Sequence, residues 1–414
     1  MKSTMNSPGS TGRLDYLDAV RAFALLLGIV FHASLSFLPL YIGWAVMDVS
    51  TGVVVPSFMT ISHSFRMGLF FLVAGYFSHM TYHRKGVAAF AKSRLFRLGI
   101  PFVIGWFLLR PLLVSGWIMG ATSLQGDVDV MAGLRGGIAS LQSLPMGVFT
   151  GTHLWFLYYL MLATAGALIS RWVLCFSEVV SSRLRDLGDA AIERIARMRL
   201  PAVAFVIPTA IALWFMNGWG MDTPDQSLRP HIPVTLVYTG FFGLGWMLHR
   251  KADWLPRLTE LNLSRCVLVA LAIVGTLVLA RKQMDMSDPH YSQFRVGYAV
   301  CYAALMWSLA FLVIGVFAKL ITKGSPGLRY LADSSYWLYL VHLPIVVWLQ
   351  VALAELPWHW SLKLIAISAI TVGIALVMYD LFVRSTVIGK ILNGRRRERV
   401  LFRKPRSFGV QTAQ

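Results

Sequence analysis

An arginine and a histidine begin and end the apolar run RAFALLLGIVFH at residues 21–32. In an α-helix, eleven residues bring His32 back to within about 20° of the face of Arg21, about 16 Å further along the axis. A neutral imidazole can act as a general base, and a guanidinium is a fixed cation that binds anions. The spacing therefore predicts a polar stripe along one face of an otherwise apolar helix.

A second apolar run, ISHSFRMGLFFLVAGYF, carries His63 and Arg66 on adjacent turns. If the two runs form antiparallel neighbouring helices, His63 lies at a depth similar to that of His32. An imidazole can take a proton from a hydroxyl group, and a guanidinium can stabilise a developing oxyanion. His32, Arg21, His63 and Arg66 are therefore the catalytic candidates.

Arg94 and Arg97 lie three residues apart, on one helix face, just before a further apolar segment. They can anchor a helix at a membrane surface, or they can grip phosphate groups bidentately, which arginine does better than lysine. Pro101, which follows the pair, predicts a break or kink in this helix. The pair is the candidate cofactor-binding site.

Three further residues are candidates for substrate binding or structural support. His153 lies in GTHLWFLYYL, whose aromatic residues also suit a membrane interface. His342 lies two residues before Pro344, and a histidine can satisfy a carbonyl group that a proline leaves without its amide partner, so both roles are open. Asp18 precedes Arg21 by three residues and can form an ion pair with it.

The elements that must position these residues are membrane spans. Of the 414 residues, 57% are hydrophobic and only 14% are charged, and the mean hydropathy is +0.63. Several stretches exceed the roughly 18 apolar residues that mark a candidate span. We predict an all-α polytopic membrane protein with about ten transmembrane helices. The predicted spans are 17–38, 57–79, 98–118, 152–174, 200–217, 232–249, 266–281, 296–318, 331–353 and 361–383.

The net charge of +19 is distributed unevenly along the chain. Basic residues cluster in alternate connections, 84–97, 171–199, 250–265 and 319–329, and in the tail 384–406. The positive-inside rule places these segments, and both termini, in the cytoplasm. The connections on the opposite side of the membrane hold few basic residues, among them Arg135, Arg229, Arg281, Lys282 and Lys363. This pattern argues against a nucleic-acid partner.

The predicted organisation has three parts: a cytoplasmic N-terminal segment (1–16), a transmembrane domain (17–383) and a basic cytoplasmic tail (384–414). The tail is expected to lie against anionic lipid headgroups. The longest connection on the cytoplasmic side, 175–199, is expected to form an amphipathic surface helix. The three cysteines have no paired spacing, so neither a disulfide framework nor a metal site is expected.

The R-x10-H pattern of Arg21 and His32 resembles the signature of the acyltransferase-3 family of membrane acyltransferases. Four further pieces resemble, within that family, the branch that succinylates osmoregulated periplasmic glucans. They are HSFRMGLFFLVAGYFSHM, the Arg94–Arg97 pair followed by GIP, THLWFLYYL and SSYWLYLVHLPI. The resemblance runs from Tyr16 to Arg384. That branch often has a second histidine before the proline of the last piece, where this chain has Leu343.

The resemblance implies ten membrane helices and transfer of an acyl group from a cytoplasmic acyl-CoA to an extracytoplasmic sugar hydroxyl. It implies that His32 is the catalytic histidine, that Arg21 is its partner, and that Arg94 and Arg97 bind the donor. No tightly bound cofactor is expected. The expected donor is succinyl-CoA, the expected acceptor is a periplasmic glucan, and the expected location is the bacterial inner membrane.

Two alternatives remain open. In the first, the protein is an O-acetyltransferase of another surface polysaccharide, so the chemistry is the same and the substrates differ. The second is a transporter or flippase in which the buried ionisable residues couple proton or anion movement, a role that buried histidines also serve. Transporters usually show broken helices in repeated halves, and this sequence has no matching pair of such segments.

Overall fold

The chain folds into a bundle of α-helices, and the computed structural model describes residues 14–126, 128–142, 152–225, 227–251 and 253–401. No β-strand occurs in these described ranges. The helices are α1 (Asp15–Ser34), α2 (Val55–Lys85), α3 (Val87–Arg94), α4 (Ile100–Thr122), α5 (Val130–Ala139), α6 (Trp155–Leu174), α7 (Glu178–Ala196), α8 (Val206–Trp214), α9 (Ile232–Leu248), α10 (Trp254–Leu258), α11 (Leu263–Ala280), α12 (Tyr291–Leu320), α13 (Pro326–Leu353), α14 (Trp360–Met378) and α15 (Val387–Asn393).

The prediction of an all-α polytopic membrane protein is confirmed, and each of the ten predicted spans contains a helix. Eight helical segments of the described chain are long and apolar enough to cross a membrane. The other two predicted spans, 200–217 and 232–249, correspond to the shorter apolar helices Pro201–Trp214 and Ile232–Leu248. The cytoplasmic location of the termini stays a prediction. Residues 1–13 and 402–414, in the predicted terminal segments, lie outside the described residues.

The predicted surface helix in the connection 175–199 is present as α7. Most of its residues are exposed, and Ile192 and Ala196 are buried. Glu193 binds the short helix α10, because its carboxylate accepts hydrogen bonds from Trp254 Nε1 at 2.6 Å and from Arg257 at 3.0 Å. These bonds hold α7 against α10.

The two helices α2 and α9 approach each other closely because each places a glycine against the backbone of the other. A Cβ atom at Gly75 would overlap the carbonyl group of Phe242, and one at Gly245 would overlap that of Leu72. Small residues permit such close packing in membranes, where van der Waals contact is a main source of helix association. The contact fixes α2, which carries two of the catalytic candidates.

Replacing Gly245 by alanine is therefore expected to lower the thermal unfolding midpoint of the protein in detergent by several degrees. The added methyl group must push the two backbones apart, and overpacking of this kind typically costs about 1–3 kcal/mol. Gly240→Ala is the matched control, since Gly240 lies on the same helix and a Cβ there meets open space. Equal midpoints for the two variants would contradict the close contact.

The helix that carries the Arg94–Arg97 pair is interrupted at the predicted place. A π-helical turn, Leu95–Gly99, joins α3 to α4 just before Pro101. Proline has no amide hydrogen, so the carbonyl group of Arg97, four residues earlier, lacks its helical partner. The hydroxyl of Tyr336 on α13 donates a hydrogen bond to that carbonyl. The break thus ties the arginine pair to α13.

A buried ion pair fixes the connection between α1 and α2. Lys363 Nζ lies 2.6 Å from Asp48 Oδ1 and also donates to the carbonyl of Ala354 at 3.2 Å, and both charged side chains are buried. Burial raises the pKa of the Asp48 carboxyl, while the hydrogen bonds from Lys363 and from the Ser50 amide act in the opposite direction. The pair anchors this connection to α14.

Candidate active site

A continuous cavity of about 1990 Å³ extends through the bundle, larger than a typical small-molecule pocket. All nine residues that the sequence marks as site candidates line it: Asp18, Arg21, His32, His63, Arg66, Arg94, Arg97, His153 and His342. We call the end at which α1 begins and α2 ends, where Arg94 and Arg97 lie, the basic end. The four candidate histidines, His32, His63, His153 and His342, line the cavity towards the opposite end.

Three imidazole rings from three helices meet in the cavity. The ring centroid of His32 on α1 lies 5.3 Å from that of His342 on α13, and the latter lies 5.7 Å from that of His153, just before α6. The indole of Trp44 also stacks on His32, at 5.7 Å. His32 Nδ1 is buried without a hydrogen-bond partner in the described structure. The arrangement leaves this imidazole free to exchange protons with a ligand.

The proline in α13 explains the position of His153. Pro344 lacks an amide hydrogen, so the carbonyl group of Leu340 loses its helical partner. His153 Nε2 lies 2.8 Å from that carbonyl oxygen and must donate to it. The sequence suggested His342 for this structural role, but the histidine that meets the freed carbonyl is His153, from a segment distant in the chain.

His342 is oriented by its own helix. Its Nδ1 lies 2.8 Å from the carbonyl oxygen of Tyr339, so this nitrogen carries the hydrogen and Nε2 keeps the lone pair. The side chain is buried beside His32. His342 thus combines a structural hydrogen bond with a place in the cavity wall, and it has no second histidine beside it in α13 because residue 343 is leucine.

Gln350 on α13 holds His32 and Trp44 together. Its Nε2 donates to the carbonyl groups of His32 at 2.9 Å and Ala33 at 3.1 Å, and its Oε1 accepts from Trp44 Nε1 at 3.0 Å. The side chain is 1% exposed, so these bonds form in a dry environment. Gln350 therefore fixes both the helix end that carries His32 and the ring that stacks on it.

Replacing Gln350 by leucine is expected to lower kcat about ten- to a hundredfold with little change in the KM for the donor, because the imidazole loses its fixed position. Gln350→Glu keeps the acceptor for Trp44 but loses both donor bonds to α1, so an intermediate kcat is expected. A lower unfolding midpoint with an unchanged kcat in Gln350→Leu would assign this side chain a structural role alone.

His63 and Arg66 form a second group, next to the first. The ring of Phe31 contacts both groups. His63 stacks on it at 5.7 Å, the guanidinium carbon of Arg66 lies 4.2 Å from its centroid, and the His32 ring meets it edge-on at 5.1 Å. The two His63 nitrogens lie 3.4 Å from the Tyr302 hydroxyl and 3.2 Å from the Thr223 hydroxyl. His63 is thereby held at the wall of the cavity.

Arg66 is a buried cation without a carboxylate partner among the described residues. It is 5% exposed, and its Nη1 has no hydrogen-bond partner there. Burying an uncompensated charge is costly, so the guanidinium has a strong tendency to bind an anion or a polarised oxygen in the cavity. The cation–π contact with Phe31 offsets part of that cost.

The arginines at the basic end are held by polar groups of neighbouring helices. Arg94 donates to the Ser78 hydroxyl at 2.8 Å, and Arg97 donates through Nε to the Leu392 carbonyl at 3.2 Å. Arg21 donates to the Ala332 carbonyl at 2.7 Å, and it forms the predicted ion pair with Asp18 at 3.4 Å. The cavity wall at this end is therefore strongly basic.

The structure separates Arg21 from His32. The two side chains lie on one helix, about 16 Å apart along its axis by the helical rise. The described contacts of Arg21 are with α1 and α13 at the basic end. The face of α1 that carries Arg21 and His32 is the polar stripe that their spacing predicts. Each of the two residues lines a different part of the same cavity.

The family model for an acyltransferase domain of the acyltransferase-3 type matches residues 14–380, nearly the whole chain. This protein belongs to the acyltransferase-3 family. It is a multi-pass membrane enzyme that transfers an acyl group other than an aminoacyl group, as the motifs predict. No group of three or more His, Cys, Asp or Glu side chains in the described part of this acyltransferase could hold a metal ion.

The acyltransferase is similar to curated proteins named glucans biosynthesis protein C. Those of Escherichia coli strain K12 and of Escherichia coli O157:H7 are each 24% identical to it over 395 residues, which cover 94% of this chain and 96% of the relative. The relative from Escherichia coli O9:H4 (strain HS) has the same identity and coverage. No solved structure matches the chain.

Several residues that line the cavity of this acyltransferase were not foreseen from the sequence. Arg110 is a buried cation within α4, and its guanidinium carbon lies 5.1 Å from the Trp106 ring centroid. The sequence did contain a signal for Arg110, since a charged residue inside a predicted span is a candidate for a functional role. Trp44, Asp222 and Asp225 lie in connections between helices, where no periodicity points to them.

Proposed function

We propose that this acyltransferase moves a succinyl group from cytoplasmic succinyl-CoA to hydroxyl groups of a periplasmic glucan, in the bacterial inner membrane. The observation that carries the proposal is the continuous cavity that joins the arginines of the basic end to the histidine cluster. The names of the similar proteins support a glucan as acceptor. The bias of basic residues supports a cytoplasmic location of the basic end.

The donor enters this scheme at the basic end. Coenzyme A carries several phosphate groups, and the forked guanidinium groups of Arg94 and Arg97, with Arg21 beside them, suit such groups. The pantetheine arm then extends along the cavity towards His32. The separation of Arg21 from His32 by about 16 Å, from the helical rise, matches a ligand whose charged part and reactive part are far apart.

The transfer step uses His32 as the general base. A ring nitrogen of His32 takes the proton of the acceptor hydroxyl, and the hydroxyl oxygen attacks the thioester carbonyl carbon. The resulting oxyanion is stabilised by the Arg66 guanidinium. When the intermediate collapses, the carbon–sulfur bond breaks, an ester forms, and the thiolate of coenzyme A takes the proton back from the imidazolium. Direct transfer of this kind needs no acyl-enzyme.

The acceptor enters from the opposite end. Trp44 and Trp117, whose rings lie 5.1 Å apart in an edge-on arrangement, line the cavity there and offer apolar faces to a sugar ring. Asp222 and Asp225 also line the cavity, on either side of the segment whose Thr223 hydroxyl lies 3.2 Å from His63, and they can accept hydrogen bonds from sugar hydroxyls. Burial raises the pKa of the Asp225 carboxyl, so it holds its proton to higher pH than an ordinary aspartate.

The proposal is tested by mass spectrometry of periplasmic glucans from cells with and without this protein. A mass increment of one or more succinyl groups, present only with the protein, is the expected result. A mass increment of acetyl size would instead identify acetyl-CoA as the donor. Membranes incubated with labelled succinyl-CoA and labelled acetyl-CoA provide the second measurement. Unmodified glucan in every case would overturn the proposed substrates, and glucan still modified in a His32→Ala strain would remove His32 as the general base.

A further inference from the structure

Residues 394–401, which follow the last helix, are docked across the basic end, and we call them the C-terminal strap. The Arg397 guanidinium lies 2.6 Å from a carboxylate oxygen of Asp333 on α13. The Asp380 carboxylate, in the π-helical turn after α14, accepts hydrogen bonds from the amides of Val400 at 2.9 Å and Leu401 at 3.1 Å. The strap is thus a fixed part of the fold.

The strap begins beside Arg97 of the arginine pair. Arg97 Nε donates to the Leu392 carbonyl at the end of α15, and a Cβ atom on Gly394 would lie 3.3 Å from Arg97 Nη2. Gly394 has a φ of +78°, a left-handed conformation that ends the helix and turns the strap along the cavity. Arg395 and Arg397 both line the cavity, whereas Arg396 between them does not.

The balance of charge at the basic end of the cavity favours an anionic ligand. Among the described residues, the two carboxylates that line the cavity here are each paired: Asp18 with Arg21, and Asp333 with Arg397. No described carboxylate lies within ion-pair distance of Arg94, Arg97 or Arg395. Three guanidinium groups without anionic partners around one opening form a site for phosphate groups.

We propose that the C-terminal strap completes the donor site, with Arg395 binding a phosphate group of the nucleotide part of the donor together with Arg94 and Arg97. This inference rests on the proposed function, since it takes the donor to be a coenzyme A thioester. Anionic lipid headgroups carry the same chemistry and are the other source of phosphate at a membrane surface. The position of Arg395 on the cavity wall favours the donor.

The test compares Arg395→Gln with Arg396→Gln in the full-length protein, reconstituted in nanodiscs of zwitterionic lipid and of mixed anionic lipid. Both residues are exposed neighbours of equal charge, but only Arg395 lines the cavity. Arg395→Gln is expected to raise the KM for acyl-CoA about tenfold, with kcat unchanged, as loss of one charge-assisted hydrogen bond predicts. Arg395→Lys is expected to recover part of the affinity, and Arg396→Gln to behave as the wild type.

A second pair of variants tests the contact with Arg97. Gly394→Ala places a methyl group beside the guanidinium and is also expected to raise the KM. Gly126→Ala has nearly the same φ, +80°, but open space around the new methyl group, so it controls for backbone strain. An increase in KM in both glycine variants would mean that backbone strain, and not the contact with Arg97, raises the KM.

The outcomes separate this inference from the proposed function. If the wild type binds adenosine 3′,5′-bisphosphate or coenzyme A and both arginine variants bind it equally well, the strap plays no part in the site and the inference is overturned while the function stands. Equal KM increases in both arginine variants, confined to anionic nanodiscs, would assign the strap to lipid. A wild type that binds neither compound would overturn the proposed function itself.

Discussion

Replacing His32 by glutamine is expected to reduce acyl transfer to background while donor binding stays unchanged. The imidazole is the group that removes the acceptor proton, and loss of a general base typically lowers kcat by about 10²–10⁴. Glutamine fills similar volume and can hydrogen-bond, but it cannot take a proton. The measurement is initial rate with labelled acyl-CoA in membranes, with binding of coenzyme A followed in parallel.

His290→Gln serves as the control for this variant. His290 is exposed, lies in the connection before α12 and does not line the cavity, so its replacement is expected to leave the rate unchanged. His342→Gln is informative as well, because its ring lies 5.3 Å from that of His32. If His342→Gln abolished transfer and His32→Gln retained it, the base would be His342 and the assignment to His32 would be wrong.

Replacing Arg66 by glutamine is expected to lower kcat by about 10²–10³, the usual cost of removing one donor from an oxyanion site. This guanidinium is buried, faces the cavity and has no carboxylate partner among the described residues, so its charge is available to the reaction. Arg66→Lys keeps the charge but loses the planar fork, and a smaller decrease is expected.

The donor used in the assay distinguishes two roles for Arg66. If the guanidinium stabilises the oxyanion, Arg66→Gln lowers kcat to the same extent with succinyl-CoA and with acetyl-CoA. If it binds the distal carboxylate of the succinyl group, the loss is confined to succinyl-CoA and appears mainly in KM. An unchanged rate with both donors would remove Arg66 from the site.

The helices and the polar stripe were predictable because they depend on local pattern. Apolar runs long enough to span a bilayer predict helices whatever their neighbours are, and the eleven-residue spacing of Arg21 and His32 fixes their common face. The same holds for the break near Pro101, where the missing amide of proline acts within one turn. These features need no knowledge of tertiary contacts.

The partners of the site residues were not predictable in this way. The sequence indicates that Pro344 frees a carbonyl. That His153, far away in the chain, satisfies it depends on how the segment before α6 lies against α13. Gln350 and Trp44 reach His32 from a distant helix and from a connection, so neither falls on the periodic pattern of α1. Contacts of this kind are set by the bundle and not by local sequence.

The contacts of the basic tail were also not predictable from local sequence. Its charge indicates an anionic neighbour, which the sequence alone identifies as lipid. The structure pairs Arg397 with Asp333 and begins the strap, at Gly394, beside Arg97, which brings part of that charge to the cavity. The tail residues 402–414 lie outside the described residues, and their contact with lipid stays a prediction.

The most direct test of a cavity that passes the acyl group across the membrane uses sealed proteoliposomes of one orientation. Labelled succinyl-CoA is supplied only on the side of the basic end, and unmodified glucan is enclosed on the other side. The account predicts labelled glucan inside the vesicles, which disappears in His32→Gln. Label found only on glucan supplied on the same side as the donor would contradict it.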